Sequence, residues 1–527
     1  MLKILAITDK ADTAIDRLAN GVAQYMNGYA YAVLPIHPKR PDQEDLHKFI
    51  ALAQEADIID YHYFRTAEML RKTFPEVKAK PSILRHFNPY SIHDADWSEY
   101  DVIVACNKSI ESDLRATYGD KVIMHPITRN PINWPYNNEW KPSNKILMVA
   151  NRIEAKKGIK EVAQACANEN LEFHVVGNIS DHNYFNELMQ IGNIVFSQNV
   201  TDDELAKLYQ RSCLLVCNSV DNFESGTMPI QEAMFSGTPV LTRLVGHVPD
   251  IYNGENMIIN PNASDDVRGL TELLHDTLAD DVNSASVTTT KLDTIREKAW
   301  QTIKTYTDQR RAWLYKKLYR QLQTDEQPVS VIVPTAGSED VLRSCLNAIA
   351  QQTYKNIEIV VVDDGGTARE TVSSFSSMVN IPVQYHNSSN GDYGLARARN
   401  IGIINATGEV IVFCDQRQVM DANAVGEFMK YIAPRKWLYG NKGVKKEFVE
   451  NFSCIYRNDI VRLGMFNERI NLYGGQSQEV RARSRAQGIT HEYIETAKAT
   501  PAKKSSNKYT KRHEIIQMKD ILYQLGL

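Results

Sequence analysis

The stretch "NFESGTMPIQEAMFSGTPV", residues 222–240, sets two carboxylates, Glu224 and Glu232, on either side of a Gly-Thr-x-Pro turn. The apolar run "CLLVCNS" before it reads as a buried strand, so the local order is strand, loop, helix. A helix is predicted to start near Thr227–Pro229, because threonine is a favoured N-cap and proline is tolerated in the first helical turn. Backbone N–H groups at such a start, near Gly226 and Thr227, suit a phosphate. Glu224 then lies in the loop and Glu232 about one turn inside the helix. Carboxylates at two depths of one cleft suit gripping two hydroxyl-bearing parts of a ligand better than paired-carboxylate hydrolysis.

Two further groups have the same placement. In "NRIEAKKGIKEV" a strand end leads into a helix, and Arg152 and Lys157 could pair there with phosphate oxygens. Alone, that segment reads first as an exposed basic turn. In "IEIVVVDDGG" the pair Asp363 and Asp364 closes a strand, where acceptor-only carboxylates could take hydrogen bonds from ribose hydroxyls or a base N–H.

The elements that must position these residues alternate throughout the chain. "KILAIT", "ADIIDYH", "PSILRHF" and "YDVIVAC" form one series of predicted strands. "NKILMVANR", "LEFHVVGN", "NIVFSQN", "CLLVCNS" and "TPVLTR" form a second, after the proline- and asparagine-rich "HPITRNPINWPYNNEWKPSN". Apolar strands separated by helices predict buried parallel sheets of the doubly wound kind, an α/β fold. A long charged helical stretch, residues 290–323, follows; "TDEQPVS" breaks it and "VSVIVPT" opens a third α/β unit. The expected domains are therefore 1–140, 141–323 and 327–527.

"NRIEAKKG", "VVGN", "VTDDELAKLYQRS" and "NFESGTMPIQEAMFSGTPVLTRLVG" resemble, in order, the nucleotide-sugar lobe of family-4 retaining glycosyltransferases of GT-B fold. The family's E-x7-E falls on Glu224 and Glu232, and its R-x4-K-G on Arg152, Lys157 and Gly158. The resemblance implies that Glu232 holds the ribose of the donor and Glu224 the sugar hydroxyls. It places Arg152 and Lys157 on the diphosphate, backbone amides near Gly226 and Thr227 on the leaving phosphate, and no cofactor. His86, in "ILRHFNPYS", takes the place of a histidine commonly found near the donor sugar. The amino-terminal lobe, on the acceptor side, departs from the pattern, with "KADTAIDRLANG" where a Gly-Gly loop is usual. Helix 290–323 would cross back onto that lobe.

"PVSVIVPTAGSEDVLRSCLNAIAQQTYKNIEIVVVDDGG", "YGLARARNIGIINATGEVIVFCDQRQ" and "FNERINLYGGQSQEVRARSRAQG" resemble inverting family-2 glycosyltransferases of GT-A fold. The resemblance implies nucleoside contacts at Thr335, Asp363 and Asp364, with Arg399 and Asn400 beside the diphosphate. Two departures bear on the chemistry. The family's metal-holding D-x-D reads Asp415-Gln416-Arg417, and its acidic pair after the Gly-Gly turn, the source of the general base, reads Gln476-Ser477. Direct displacement needs a base within hydrogen-bond reach of the acceptor hydroxyl, and Glu479 is the nearest remaining carboxylate. Three readings stay open. Arg417 replaces the metal's charge with Glu479 as base; Asp415 still binds Mn²⁺ or Mg²⁺; or the domain is a non-catalytic acceptor-binding module. His513, in "KYTKRHE", is a weaker candidate metal ligand.

Together these readings predict a two-headed enzyme that moves sugars from nucleotide-sugar donors, UDP-sugars first, to one glycan or glycoconjugate. The formal net charge of −4 conceals a basic segment, with 18 Lys/Arg against 9 Asp/Glu from Pro434 to Leu527. That balance suits an anionic acceptor: a glycan, a lipid-linked glycan or DNA. The DNA case would make the chain a viral-type enzyme acting on hydroxymethylated bases in a host cytoplasm. Seven scattered cysteines point to reduced thiols. No apolar run nears the roughly 18 residues that span a bilayer. The expected location is the cytoplasm, including the inner membrane face.

Overall fold

The computed structural model describes residues 1–87, 96–220, 224, 226–282, 290–391, 394–443, 447–470 and 475–502. His513, with the rest of residues 503–527 of the basic segment, and Gly474 of the Gly-Gly turn lie outside the described residues.

Three sheets follow one another along the chain. The first has six parallel strands in the order Tyr29–Pro35, Leu2–Thr8, Ile58–Tyr61, Ser82–His86, Val102–Ala105, Val122–Met124. Its central strands are buried on both faces, which is why they read as unbroken apolar runs. The second is also parallel, in the order Ile258–Ile259, Val240–Thr242, Leu214–Cys217, Lys145–Ile153, Glu172–Ile179, Ile194–Ser197. Strand order reverses between Lys145–Ile153 and Leu214–Cys217, and the crevice of a doubly wound sheet opens at such a switch. The third begins parallel, with Val383–Asn387, Ile357–Asp363, Val329–Thr335 and Val410–Cys414 side by side. Phe452–Tyr456 then pairs antiparallel with Val410–Cys414 and leads into three further strands, giving eight among the described residues.

The stretch 290–323 is two helices rather than one, Lys291–Ile303 and Asp308–Gln321. Thr290 and Thr307 each cap a new helix, because a threonine hydroxyl accepts an orphan N–H of the first turn. The first of these helices packs on the second sheet's helix Met228–Ser236. The second crosses to the first sheet. There Tyr319 donates to Asp60 at 2.5 Å and Tyr29 donates to the Lys316 carbonyl at 3.4 Å.

The same helix holds the third sheet from its other side. Arg320 lies 3.1 Å from Glu358 and donates to Thr407, Val329 O and Asn356 O at 2.6–2.9 Å. Lys316 donates to Gln384 at 3.1 Å, and burial lowers its ammonium pKa to about 8. Direct contacts complete the docking. The amino terminus donates to Val379 O at 2.7 Å, and a Cβ on Gly28 would come within 2.4 Å of Val383 O.

Removing one partner of a fully buried ion pair strands the other charge. Glu358→Ala is expected to cost about 3–5 kcal/mol, read as a lower urea midpoint of the third domain. Replacing Arg320 and Glu358 together by Met and Leu should cost much less.

Candidate active sites

At the switch point of the second sheet, residues from two strand ends converge. Gly158 turns the chain between strand Lys145–Ile153 and the next helix with φ +67°, and a Cβ there would meet Asn218 O at 2.4 Å. This brings Lys157 onto the loop after Leu214–Cys217, where it forms an ion pair with Glu224. Ser219 donates to the same carboxylate at 2.8 Å. Glu232, one turn into its helix, accepts from Arg129 Nε at 2.9 Å and from the Tyr209 hydroxyl at 3.0 Å. Burial raises its carboxyl pKa against the pull of Arg129. Gly226 permits close approach to the neighbouring segment, since a Cβ would come 2.1 Å from Ile127 Cδ1. Thr227 occupies the N-cap position, but its hydroxyl makes no cap. Instead the Thr227 amide donates to His247 Nδ1 at 3.0 Å.

Across from these groups stands the carboxyl edge of the first sheet. A cleft of about 380 Å³ is lined there by His62, Arg85, His86 and Phe87, and on the other wall by Arg152, Lys157, Glu224 and Gly226. Arg152 is exposed at its mouth. His86 is 1% exposed and packs on Trp97, with ring centroids 4.8 Å apart. Arg85 is held by both oxygens of Asp60 at 2.7–2.9 Å and lies 3.4 Å from the Tyr315 ring centroid. Burial opposes ionisation of Asp60, yet Arg85 and His62 hold its pKa below the ordinary value.

The third sheet builds a second centre at its own switch point, between Val329–Thr335 and Val410–Cys414. Arg399 is buried at its middle. It donates to both oxygens of Asp415 at 3.0 and 3.1 Å, to Glu450 at 2.6 Å and to Gln476 Oε1 at 3.1 Å. Burial raises the Asp415 pKa and lowers that of the neighbouring Lys442. The Thr335 hydroxyl donates to Gln416, and Arg417 stands exposed beside them. Asp364 accepts from Gly394 N at 2.7 Å, Arg397 at 2.9 Å and Ser388 at 3.1 Å.

Two family models match this chain. The model for glycosyl transferases group 1 matches residues 133–286, and that for glycosyl transferase family 2 matches residues 330–442. The chain joins a group 1 glycosyltransferase segment to a family 2 segment. Its first two sheets are the lobes of a GT-B fold and its third the GT-A unit. Curated relatives include glycosyltransferases GlyA and GlyG of Streptococcus pneumoniae. GlyA is 39% identical over 109 residues, 20% of this chain and 15% of its own length. GlyG is 36% identical over 99 residues, 18% of this chain and 32% of its own. The poly(ribitol-phosphate) beta-N-acetylglucosaminyltransferase TarS of Staphylococcus aureus is 30% identical over 107 residues, 20% of this chain and 18% of its own. The chain thus spans under a third of the length of each of these relatives. Among solved structures, a sucrose-phosphate synthase from Thermosynechococcus elongatus covers 62% of this chain and all of its own, at 17% identity and a TM-score of 0.49.

At the first cleft the structure brings Arg152, Lys157, Glu224 and Gly226 of the group 1 segment together with His86 of the first sheet, with Glu232 and Thr227 on the adjoining helix. In the third sheet's domain the observed contacts bear on four expectations. Asp363 is saturated, accepting from the amides of Gly365, Gly366 and Ala368 and from Tyr385, so it shapes its own turn. Asn400 spends its amide on Phe466 O and Glu468 at 2.9 and 2.8 Å, away from a diphosphate role. Glu479 is 1% exposed with both oxygens on Arg483, four residues along the same helix, so it can act as a base only once that pair opens. Asp415 does not fit a divalent cation, since Arg399 occupies both its oxygens and Arg417 fills the third D-x-D position. Among the described residues no group of three His, Cys, Asp or Glu side chains could hold a metal. Arg129 and Tyr209, which fix Glu232, were not foreseen from sequence. Arg129 lies in the proline-rich linker and Tyr209 on an unremarkable amphipathic helix, so neither carries a local signal.

His247 must be neutral to accept the Thr227 amide, and burial with Arg129 lowers its pKa from 6.5 to about 4. The unfolded chain therefore binds that proton more readily, so its contribution is complete above about pH 6.5 and falls away towards pH 4. A His247→Asn variant is expected to show a shallower loss of stability across that window than wild type. The difference should approach 1.4 kcal/mol per pH unit, measured by urea unfolding from pH 7 to 4.

Proposed function

We propose that this chain is a two-headed glycosyltransferase, moving sugars from nucleotide-sugar donors onto one glycan or glycoconjugate acceptor. What supports the reading is the convergence of Arg152, Lys157 and Glu224 on a cleft whose other wall is the first lobe. A nucleoside diphosphate leaving group gains charge as the glycosidic bond breaks, so positioned cations and helix-start amides lower the barrier. Lys157 and Arg152 offset that charge here, with the Gly226 amide beside them, while the Thr227 amide stays on His247. Glu224 receives sugar hydroxyls, and Glu232, released in part from Arg129, receives the ribose. The first head retains anomeric configuration and the second inverts it.

In the second head Thr335 and Asp364 take the nucleoside, while Arg399, Lys442 and Arg417 supply positive charge beside the diphosphate. Uridine donors are the first choice. The likeness to a poly(ribitol-phosphate) glycosyltransferase supports a glycan or other anionic-polymer acceptor, and seven buried cysteines, none of them in a disulfide, support work on the cytoplasmic side. Joining the heads raises the effective concentration of the first product at the second site. A second reading, that the family 2 domain only binds acceptor, is favoured by the ion pairs that occupy Asp415 and Glu479.

The test is nucleotide release and donor binding across UDP-, GDP- and dTDP-sugars, with Mn²⁺ or with EDTA. Hydrogen bonds to a charged group contribute about 1.5–3 kcal/mol, so Glu232→Ala should lower kcat/KM for one donor by roughly 10–100-fold. Asp415→Asn should weaken a different donor, and EDTA should leave both unchanged. If Glu232→Ala matches wild type on every donor, the first assignment fails. If only one donor is ever bound, the family 2 domain is a binding module.

A further inference from the structure

Against the first lobe, helix Asp308–Gln321 buries a charge that no described residue neutralises. Arg311, in the first turn of helix Asp308–Gln321, is 1% exposed. Its Nε and Nη1 have no hydrogen-bond partner, and among the described residues no carboxylate forms an ion pair with it. Its guanidinium lies 5.6 Å from the Phe87 ring centroid and 5.3 Å from that of Tyr315, contacts that attract a cation without replacing a counter-ion. The nearby acids are committed elsewhere. Asp60 holds Arg85 and Tyr319, and Asp308 accepts from Thr128 at 2.6 Å. An isolated ionised group is strongly disfavoured away from water, and arginine cannot shed its proton to escape.

Position identifies the missing partner. Arg311 couples electrostatically to His62, Cys106 and His125. These residues and Phe87 each follow the last residue of a parallel strand of the first sheet, the edge where ligands of such sheets sit. His62 is fully buried, lines the cleft, and makes no hydrogen bond through either ring nitrogen; its nearest acid, Asp60 Oδ1, is 3.7 Å away.

We infer that the first lobe carries an oxyanion subsite, in which Arg311 and His62 receive a phosphate or carboxylate group borne by the acceptor. The inference rests on reading the cleft as the transfer site, and it adds the chemical class of what enters from the first lobe. A guanidinium suits either oxyanion, through two parallel N–H donors.

The probes are glycerol 3-phosphate, glucuronate and uncharged glycerol, titrated calorimetrically into the full-length wild type, Arg311→Met and Arg152→Ala. At least one anionic probe should bind wild type and Arg152→Ala alike, and at least tenfold more weakly to Arg311→Met. Glycerol should not bind. Which anion binds distinguishes a phosphate-bearing from a carboxylate-bearing acceptor. Without anion, Arg311→Met should melt at or above the wild-type temperature, because it removes an uncompensated charge. The inference is overturned if neither anion binds wild type, or if Arg311→Met binds as well as wild type. A large fall in melting temperature on Arg311→Met would also overturn it, by showing that the rings alone satisfy the guanidinium. Donor release on the same samples separates the two proposals: donors turned over without anion binding sink only the subsite, and Arg311-dependent anion binding without donor binding sinks only the transferase reading.

Discussion

Helix Asp308–Gln321 carries buried charge in two directions, and the arrangement of the three sheets depends on it. Tyr319 reaches Asp60 of the first sheet, while the adjacent Arg320 reaches Glu358 of the third. Successive helical residues point roughly 100° apart, so a single short helix can address two domains at once. Buried polar partners tolerate little displacement, because each broken contact leaves a desolvated group unpaired. The family 2 domain is therefore docked against the GT-B pair in one orientation, rather than tethered by a flexible linker.

The same constraint reaches the first cleft. Asp60 fixes Arg85, which lines the cleft, and the helix that supplies Tyr319 also supplies Arg311 and Tyr315. The floor of the first lobe is thus built partly from a segment more than 170 residues downstream of its last strand. The opposite wall comes instead from the switch point of the second sheet, where two neighbouring strands send their following helices to opposite faces.

Both centres keep their carboxylates occupied by cations. Glu224 is on Lys157, Glu232 on Arg129, and Asp415 on Arg399. In the first cleft a diphosphate would compete for Lys157 and Arg152, so donor entry exchanges one anionic partner for another at modest electrostatic cost. In the family 2 centre the arginine is itself buried among two carboxylates and Gln476. It holds the two carboxylates in place.

The sequence by itself determined the three α/β units, the apolar strands and the motifs at their ends. Strand burial, turn chemistry and the spacing of Glu224, Glu232, Arg152 and Lys157 are local properties, set by neighbours a few residues away. The break of 290–323 into two helices was also written locally, in the cap at Thr307, but charge and helical periodicity masked it. Only the tertiary structure decided which polar groups are free to act. Asp363, Asn400 and Glu479 look reactive in a linear reading, yet each is consumed by partners that folding brings to it. Arg129, Tyr209, His247 and Arg311 look ordinary, yet folding carries them to the glutamates, the helix start and the sheet edge. A side chain's type is fixed by the gene. Its ionisation, desolvation and remaining hydrogen-bond capacity depend on the surrounding charges and burial, which the chain acquires only when distant segments meet.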